Sequence, residues 1–227
     1  MSSSVQFILE GNFAAYRRLF VGLPAKTYEA GTRFSCSGEP VRCLYYLTDG
    51  LVKVYTLNGY GYVRLIGYHK HDSLFGLDGL RAGDPAVVTT EAVTKVQAVP
   101  ITPEKLWAVV AAEPEFALTL CQYMGDVLRL MCYDAQTQSV LNVRQRLLTF
   151  LQLYAESAEY RRLGYIPLSQ DSLASAINAS RVQTARELAD LKRRGLVELG
   201  RRRVTPRDAD GLAALLKSGF DTARSNQ

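Results

Sequence analysis

The residue types best suited to chemistry lie between positions 173 and 197, in the stretch LASAINASRVQTARELADLKRRGLV. A short apolar helical pattern and a longer, arginine-rich one are separated there by Asn178-Ala179-Ser180. Asn tolerates the left-handed conformation that a sharp turn requires. Ser169 and Ser180 can cap the two helices, and Gly195 can end the second one. Two helices joined by a turn of about three residues predict a helix-turn-helix.

The second helix of this pair has two different faces when successive residues are placed about 100° apart. Thr184, Leu188 and Leu191 fall on one side, where they can pack against the first helix. The opposite side can bind base edges, because arginine pairs with guanine and glutamine with adenine through two hydrogen bonds each. The predicted base-contacting residues are Arg181, Val182, Gln183 and Arg186.

The segment LVELGRRRVTP (196–206) follows the helix pair and predicts a two-stranded wing around Gly200. The basic side chains of this wing, and the two capping serines of the helix pair, are placed to bind phosphate rather than to read sequence. The predicted phosphate contacts are Ser169, Ser180, Arg201, Arg202 and Arg203. Of the 27 Lys/Arg and 22 Asp/Glu in the chain, residues 161–207 hold 11 and 4. This local excess indicates a surface for a polyanion such as double-stranded DNA, with a merely solvated basic face as the alternative.

The elements that must position this motif begin with short strand patterns between about 25 and 100. The patterns are LYYL (44–47), LVKVY (51–55), YVRLIGY (62–68), SLFG (73–76), VVTTEA (87–92) and KVQAV (95–99). Turn signals separate them at Asp49-Gly50, Asn58-Gly59-Tyr60-Gly61 and Gly83-Asp84-Pro85. Asp-Gly is a strong hairpin signal, because both central residues of that turn need a positive φ. Short strands at this spacing predict an antiparallel β-roll.

A long helix is predicted to follow the strands. Thr102-Pro103-Glu104 is a good helix start, and after Glu113-Pro114 the helical pattern continues to about Leu141. Apolar residues recur along it at spacings of 4, 3, 4 and 4, which predicts a homodimer seam, with packing inside the chain as the alternative. The predicted seam residues are Leu120, Met124, Val127, Met131 and Ala135.

The 227 residues therefore divide into three predicted parts of an α+β protein. A β-roll sensing domain with flanking helices spans 1–112, a dimerisation helix spans 113–141, and a winged helix-turn-helix DNA-binding domain spans 142–227. No stretch approaches the roughly 18–20 consecutive apolar residues of a membrane span, and no signal peptide is evident. Four irregularly spaced cysteines do not suggest a disulfide framework. We expect a cytoplasmic protein without a membrane partner.

The order of these parts resembles the Crp/Fnr (cyclic-AMP receptor protein/fumarate-nitrate regulator) family over about 20–210. The matching segments are GTRFSCSGEP (31–40), LYYLTDGLVKVY (44–55), DSLFGLDGL (72–80) and, most specifically, LSQDSLASAINASRVQTARELADLKRRGLV (168–197). The resemblance implies a dimeric transcription regulator in which an effector reorients the DNA-binding domains through the long helix, with RNA polymerase as a further partner. Val182 stands where a glutamate is common, so the preferred half-site should differ from the best-known consensus of the family, because valine cannot accept a hydrogen bond from cytosine.

The sensing pocket departs from that family pattern. In its cyclic-nucleotide binders a Gly-Glu pair and a Pro-Arg pair hold ribose and phosphate, whereas here Leu77 and Ala86 take the glutamate and arginine places. A buried phosphate without a cation costs several kcal/mol, so cyclic AMP is not expected. The resemblance places a pocket for a small apolar or aromatic effector, as in the halophenol-sensing relatives, at Gly76, Leu77, Asp78, Ala86, Val87, Met131 and Cys132. An effector-independent, constitutive regulator is the alternative.

Other constellations favour neither catalysis nor a resident cofactor. His69 and His71, the only histidines, suggest a cupin-like metal-dependent barrel enzyme, but such a site needs a third histidine, so no metal ligand or catalytic residue is predicted. Cys121 and Cys132 fall near one helix face and could form a redox pair across a dimer, or they could be small buried core residues. A pure scaffold protein would explain the seam helix but not the arginine face.

Overall fold

The computed structural model describes residues 5–57, 63–81 and 83–224, which divide into two units. The β-roll unit comprises residues 8–129, and the C-terminal unit comprises residues 130–224 together with 5–7. The turn expected at Asn58-Gly59-Tyr60-Gly61 lies outside the described residues. No helix in the described part of the chain is long and apolar enough to cross a membrane.

Two sheets form the body of the β-roll unit, which confirms the α+β class and the antiparallel roll. The strands are β1 Ile8–Leu9, β2 Lys26–Tyr28, β3 Arg33–Ser35, β4 Leu44–Asp49, β5 Val52–Leu57, β6 Val63–His69, β7 Ser73–Phe75, β8 Thr89–Ala92 and β9 Val96–Ile101. One sheet has the order β1-β6-β5-β8-β3 and the other β2-β9-β4-β7. All pairings are antiparallel except that of β1 with β6, which the sequence analysis did not anticipate.

A first apolar core lies between these two sheets. It contains apolar side chains from both sheets, namely Leu47, Val52, Phe75, Ala92, Val96 and Ala98. The turn that joins β4 to β5 passes close to this core at Gly50, whose φ is +98°. It connects strands of the two different sheets, so the hairpin that Asp49-Gly50 predicts is wrong, although the turn itself is present. A Cβ on Gly50 would lie 2.5 Å from the carbonyl oxygen of Lys95, so a glycine is needed there for space as well as for conformation.

A second core packs helices against the roll. The helices are α1 Arg18–Val21, α2 Pro103–Ala112 and α3 Pro114–Val140, and the Thr102 hydroxyl caps α2 as its sequence predicts. Aromatic rings from distant segments meet here, with Phe13 5.4 Å from Phe116 and 5.0 Å from Tyr123 between ring centroids. Because such rings remove large apolar areas from water, they fix the first half of α3 against the roll.

A buried polar cluster ties the N-terminal segment to the roll. Asp72 has a φ of +58° and is 2% exposed, and it accepts hydrogen bonds from Arg17, from the Tyr46 hydroxyl and from His71 Nδ1, the last at 3.1 Å. Burial alone would raise the pKa of Asp72, but these donors lower it to about 2. Sequence reasoning missed this cluster because its members lie up to 55 positions apart.

The two histidines differ in burial and in their partners. His69 is 7% exposed and its Nδ1 lies 3.1 Å from the hydroxyl of Tyr123 on α3, while His71 is half exposed beside Glu10. The Tyr123 hydroxyl donates its proton to the Leu74 carbonyl, so His69 must donate to that hydroxyl. Residues i and i+2 of a regular strand would share a face, but β6 ends at His69, and the pair is not arranged as a metal-binding His-x-His.

The C-terminal unit consists of helices and a small hairpin. Its elements are α4 Val143–Ala155, α5 Ala158–Leu163, α6 Gln170–Ala176, α7 Arg181–Arg193, β10 Val197–Gly200, β11 Arg203–Pro206 and α8 Ala209–Arg224. Asn142 begins α4 with a capping box. Neither α5 nor α8 was predicted from the sequence. The core of the unit includes Leu147, Leu151, Leu173, Ile177, Leu188, Leu191, Val197, Val204 and Leu212.

Candidate nucleic-acid interface

The turn between α6 and α7 has the conformation that its sequence predicts. Asn178 has a φ of +51°, and Ser180 caps α7 by accepting the backbone N–H of Gln183 at 3.2 Å. Gly195, with a φ of +75°, follows the end of α7. The helix-turn-helix is therefore present, and its geometry comes from local signals.

Helix α7 has a buried and an exposed face. Thr184, Leu188 and Leu191 are fully buried, as their spacing predicts. The side chains predicted to contact bases are all exposed, and Val182 is 78% exposed although it is apolar. An exposed valine at the start of a helix otherwise rich in arginine is a side chain available to touch a thymine methyl group.

Gln183 is already engaged within the chain. Its Oε1 accepts the backbone N–H of Ser180 at 3.1 Å and the Ser180 hydroxyl at 3.0 Å, which completes a capping box. A bidentate contact of Gln183 with adenine needs this same oxygen. The contact would therefore have to replace half of the cap, a competition that the sequence analysis did not foresee.

The wing turns one residue later than its sequence suggests. Gly200 pairs with Arg203, so Arg201 and Arg202 form the two-residue turn, and Arg202 has a φ of +51°. Arg203 lies with its guanidinium 4.5 Å from the ring centroid of Tyr165 and donates from Nε to the Thr205 hydroxyl. The exposed tip thus carries Arg201 and Arg202, whereas Arg203 stabilises the wing as well as facing solvent.

The faces of α3 differ from the predicted seam. Leu120 and Val127 pack against the second core of the β-roll unit, so these two predicted seam residues are used inside the chain. Exposed residues, together with the partly exposed Gly125, recur instead along α3 at spacings of 3, 4, 3, 4 and 3. We call this set the outward stripe: Leu118, Cys121, Gly125, Leu128, Cys132 and Ala135. The predicted seam combines residues of two faces because a 4, 3, 4, 4 spacing follows the apolar residues of both.

The remaining predicted seam and thiol residues flank or join this outward stripe. Met124 is 42% exposed and Met131 is partly buried, so both flank the stripe, while Ala135 belongs to it. Cys121 and Cys132 are both exposed in the chain. The interpretation of these thiols as buried core residues is therefore wrong.

The predicted effector residues differ in exposure. Ala86 is buried, and its neighbour Val87 is 71% exposed, because successive side chains of an extended segment point in opposite directions. Leu77 packs against the second core, and Gly76 has a φ of +78°. Met131 and Cys132 belong to the C-terminal unit, and Cys132 is exposed. Val87 and Cys132 are thus exposed within the described chain, and the effector pocket stays a prediction.

An acidic side chain is bonded next to Ala86, the position at which the family resemblance expects a phosphate-binding arginine. Asp78 Oδ2 accepts the backbone N–H of Val87 at 2.9 Å. A backbone N–H in a turn is a donor that anions use. Here a carboxylate of the chain itself takes it, and no arginine stands at position 86 to compensate a second negative charge.

A winged helix-turn-helix that follows a β-roll and a long helix defines a class of DNA-binding transcription regulators. Residues 25–113 match the cyclic nucleotide-binding domain and residues 145–215 match the Crp-like helix-turn-helix domain. The chain belongs to the Crp/Fnr family. It is a transcription regulator with a DNA-binding domain and an effector-type domain, and its relatives are regulators rather than enzymes.

Individual relatives agree with this assignment. The transcriptional regulator LdrP of Thermus thermophilus is 29% identical over 82% of this chain and 93% of its own. A solved CRP-family regulator from the same organism is 26% identical, with a TM-score of 0.66 over 82% of this chain and 94% of its own. The c-di-GMP-responsive global regulator CLP of Xanthomonas campestris is 20% identical, with a TM-score of 0.75 over 86% of this chain and 99% of its own, a likeness of fold.

Proposed function

We propose that this regulator binds double-stranded DNA as a homodimer and reads base pairs with the exposed face of α7. The observation that carries the proposal is the division of α7, on which Leu188 and Leu191 are fully buried while Arg181, Val182 and Arg186 are exposed. The start of a recognition helix meets base edges first. The wing tip supplies phosphate contacts, which position the domain without reading sequence.

A comparison of two arginines tests the division between base reading and phosphate binding. We expect Arg186→Ala to cost about 1–3 kcal/mol on the preferred site and to relax selectivity at one base pair. Arg202→Ala should instead weaken binding to all duplexes alike and lower the slope of log K against log salt by about 1. Lys217→Ala, an exposed charge on α8, is the matched control. Identical behaviour of the Arg186 and Arg202 variants in selection-based binding assays would refute the assignment.

The outward stripe of α3 supports the homodimer. Its 3, 4, 3, 4, 3 spacing is that of a two-stranded coiled coil. A Cβ added to Gly125 would meet no atom of the described chain within 4 Å, so nothing there requires a glycine that costs about 1 kcal/mol in a helix interior. Close approach of a second helix gives that glycine a use, and it lies on the same face as Leu118 and Leu128.

The β-roll unit is proposed to sense a small apolar or aromatic effector, or none, rather than a cyclic nucleotide. The hydrogen bond from Val87 to Asp78 supports this, because a ligand phosphate would meet a carboxylate and lack a cation. The c-di-GMP response of the Xanthomonas regulator belongs to that protein, and a cyclic dinucleotide would meet the same carboxylate here. No resident cofactor is proposed.

Native mass spectrometry of the protein purified from its own host tests both the dimer and the effector. A dimer that carries a small adduct would identify the effector class by mass, and a bare dimer would favour constitutive DNA binding. Calorimetric titration with cyclic AMP should give no binding heat, and tight binding would overturn the effector proposal. As a regulator of transcription the protein would act in the cytoplasm and contact RNA polymerase, which co-purification with the polymerase would test.

A further inference from the structure

A hollow lies along the side of α7 that carries Arg186. Its volume is about 390 Å³, and it is lined by Arg144, Arg186, Ala189, Asp190 and Arg193. Four of these residues follow one another on α7 at spacings of three, one and three, which places them on a single helix face. The small side chain of Ala189 leaves the space between the two longer arginines. The hollow is therefore a continuation of the proposed base-reading face.

One carboxylate at this hollow holds three guanidinium groups. Asp190 accepts hydrogen bonds from Arg144 Nη2 at 3.0 Å, from Arg194 Nε at 2.9 Å and from Arg193. Arg193 is the first cause of the lowered pKa of Asp190, which is consequently ionised at neutral pH. The Asp190 side chain is 13% exposed, whereas that of Arg193 is 77% exposed. The carboxylate is thus sheltered, while one of its cations extends into solvent.

Arg144 reaches this carboxylate from another helix, α4. Its Nε donates to Glu187 Oε2 at 2.6 Å and its Nη2 donates to Asp190, so one guanidinium bridges two successive turns of α7. A guanidinium has five N–H donors in a fixed fork, and these two bonds use two of them. Arg144 is therefore held in place with donors left for a further acceptor.

The charges around the hollow do not balance. Arg144, Arg186, Arg193 and Arg194 face the two carboxylates of Glu187 and Asp190, which leaves an excess of two positive charges. This cluster is suited to bind an anion with several acceptor oxygens. It has an excess of positive charge, its guanidinium groups are already held in position, and it opens beside the recognition helix.

We propose that this hollow binds one backbone phosphate of DNA through Arg193 and Arg144, and that Asp190 is the internal counter-ion which the phosphate replaces at Arg193. In the free protein Asp190 holds Arg193 in a defined position. On binding, the Arg193 guanidinium turns from the carboxylate to the phosphodiester, while Arg144 keeps its bond to Glu187. Arg186 remains available for the base pair beside that phosphate. The inference rests on the proposed DNA binding and adds a phosphate site to it.

The direction of the Asp190 effect separates this proposal from a purely structural ion pair. A counter-ion that competes with phosphate lowers affinity, so Asp190→Asn should bind duplexes of any sequence about three- to tenfold more tightly at low salt. A carboxylate that merely orders the arginines would give the opposite result, namely weaker binding. Tighter binding therefore supports the proposal, and weaker binding overturns it.

Salt titrations of fluorescence anisotropy provide the main test. We expect Arg193→Ala to lower the slope of log K against log salt by about 1, and Ala189→Glu, which fills the hollow with a negative charge, to lower it at least as much. Both positions are exposed, so neither variant should affect folding, which circular dichroism checks. Lys217→Ala removes an equal charge from α8 and should leave the slope unchanged.

Replacing single phosphates of the duplex by neutral methylphosphonates locates the contact. At one position the methylphosphonate should lower the DNA affinity of the wild-type protein by about the same factor as Arg193→Ala does. The same substitution should not lower the affinity of the Arg193→Ala variant further. If the wild type binds DNA but the Arg193 and Ala189 variants keep its slope, the hollow is not a phosphate site while the proposed function stands. If the wild type binds no duplex at any salt, the proposed function itself fails.

Discussion

Burial of His69 should make the stability of the β-roll unit depend on pH between about 5 and 7.5. This imidazole is 7% exposed, and burial lowers its pKa from 6.5 to about 3. Its Nδ1 is bonded to Tyr123 on α3, so the neutral ring connects the long helix to the end of β6. Protonation would add a buried charge at this junction.

The sign and size of the effect follow from the two pKa values. The unfolded chain takes up a proton as the pH falls through 6.5, but the folded state takes up none until about 3, so the stability is complete above 6.5 and is lost progressively below it. One pH unit corresponds to about 1.4 kcal/mol, so lowering the pH from 6.5 to about 5 should remove about 2 kcal/mol from the free energy of unfolding.

Urea unfolding at about pH 7.5, 6.5 and 5 measures this loss. Circular dichroism follows the unfolding, because the only tryptophan of the chain, Trp107 on α2, is already 63% exposed in the folded state. His69→Gln keeps an amide donor for Tyr123 and should remove most of the pH dependence between 5 and 7.5. His71→Gln is the matched control, since His71 is half exposed.

Two results would refute this reasoning. The first is a wild-type unfolding free energy that stays constant to within about 0.5 kcal/mol over this range. The second is a pH dependence that survives in His69→Gln but disappears in His71→Gln, which would assign the effect to the cluster of Asp72 and Glu10 instead.

Two further predictions concern the roll and the outward stripe. Gly50→Ala should lower the free energy of unfolding by more than about 2 kcal/mol, because it combines a positive φ with a backbone clash. Gly31→Ala, with a φ of +87° and no neighbour within 4 Å, should lower it by about 1–2 kcal/mol. Thermal unfolding measures both costs, and equal costs would contradict the close approach of Gly50 to Lys95. Oxidation by a small disulfide reagent should yield covalent dimers through Cys121 or Cys132, and Leu128→Glu should reduce their yield at least tenfold by placing like charges in the seam. On non-reducing gels, unchanged crosslinking of the Leu128 variant would show that the outward stripe is not the dimer seam.

The winged helix-turn-helix could be predicted largely from the sequence, because its signals act over a few residues. Asn178 adopts the left-handed conformation, Ser180 caps α7 and the buried positions of α7 follow its helical period. The strands β4 to β9 were predicted for the same reason, through short strand patterns and turn residues, whereas the short β1, β2 and β3 were not among the predicted patterns. Elements with weaker local signals, among them α5 and α8, were missed.

The effector residues were less predictable. The family resemblance placed Leu77 and Val87 in one pocket. In the described chain Leu77 packs in a core while Val87 faces solvent, since the direction of each side chain depends on the twist and register of the surrounding strands. The predicted seam combines two faces of α3 for a related reason. The apolar residues of α3 serve two faces, and only packing shows that Leu120 and Val127 are used within the chain.

The sequence by itself determined the order of elements, the helix caps and turns, and the location of the basic surface, because propensity, capping and charge are properties of neighbouring residues. Only the tertiary structure decided which cations are neutralised and which residues share a site. Arg144 and Asp190 are 46 positions apart, and Arg203 stacks on Tyr165 rather than only facing solvent. Such partners meet through the packing of whole helices and strands, and that arrangement is not encoded in any short segment.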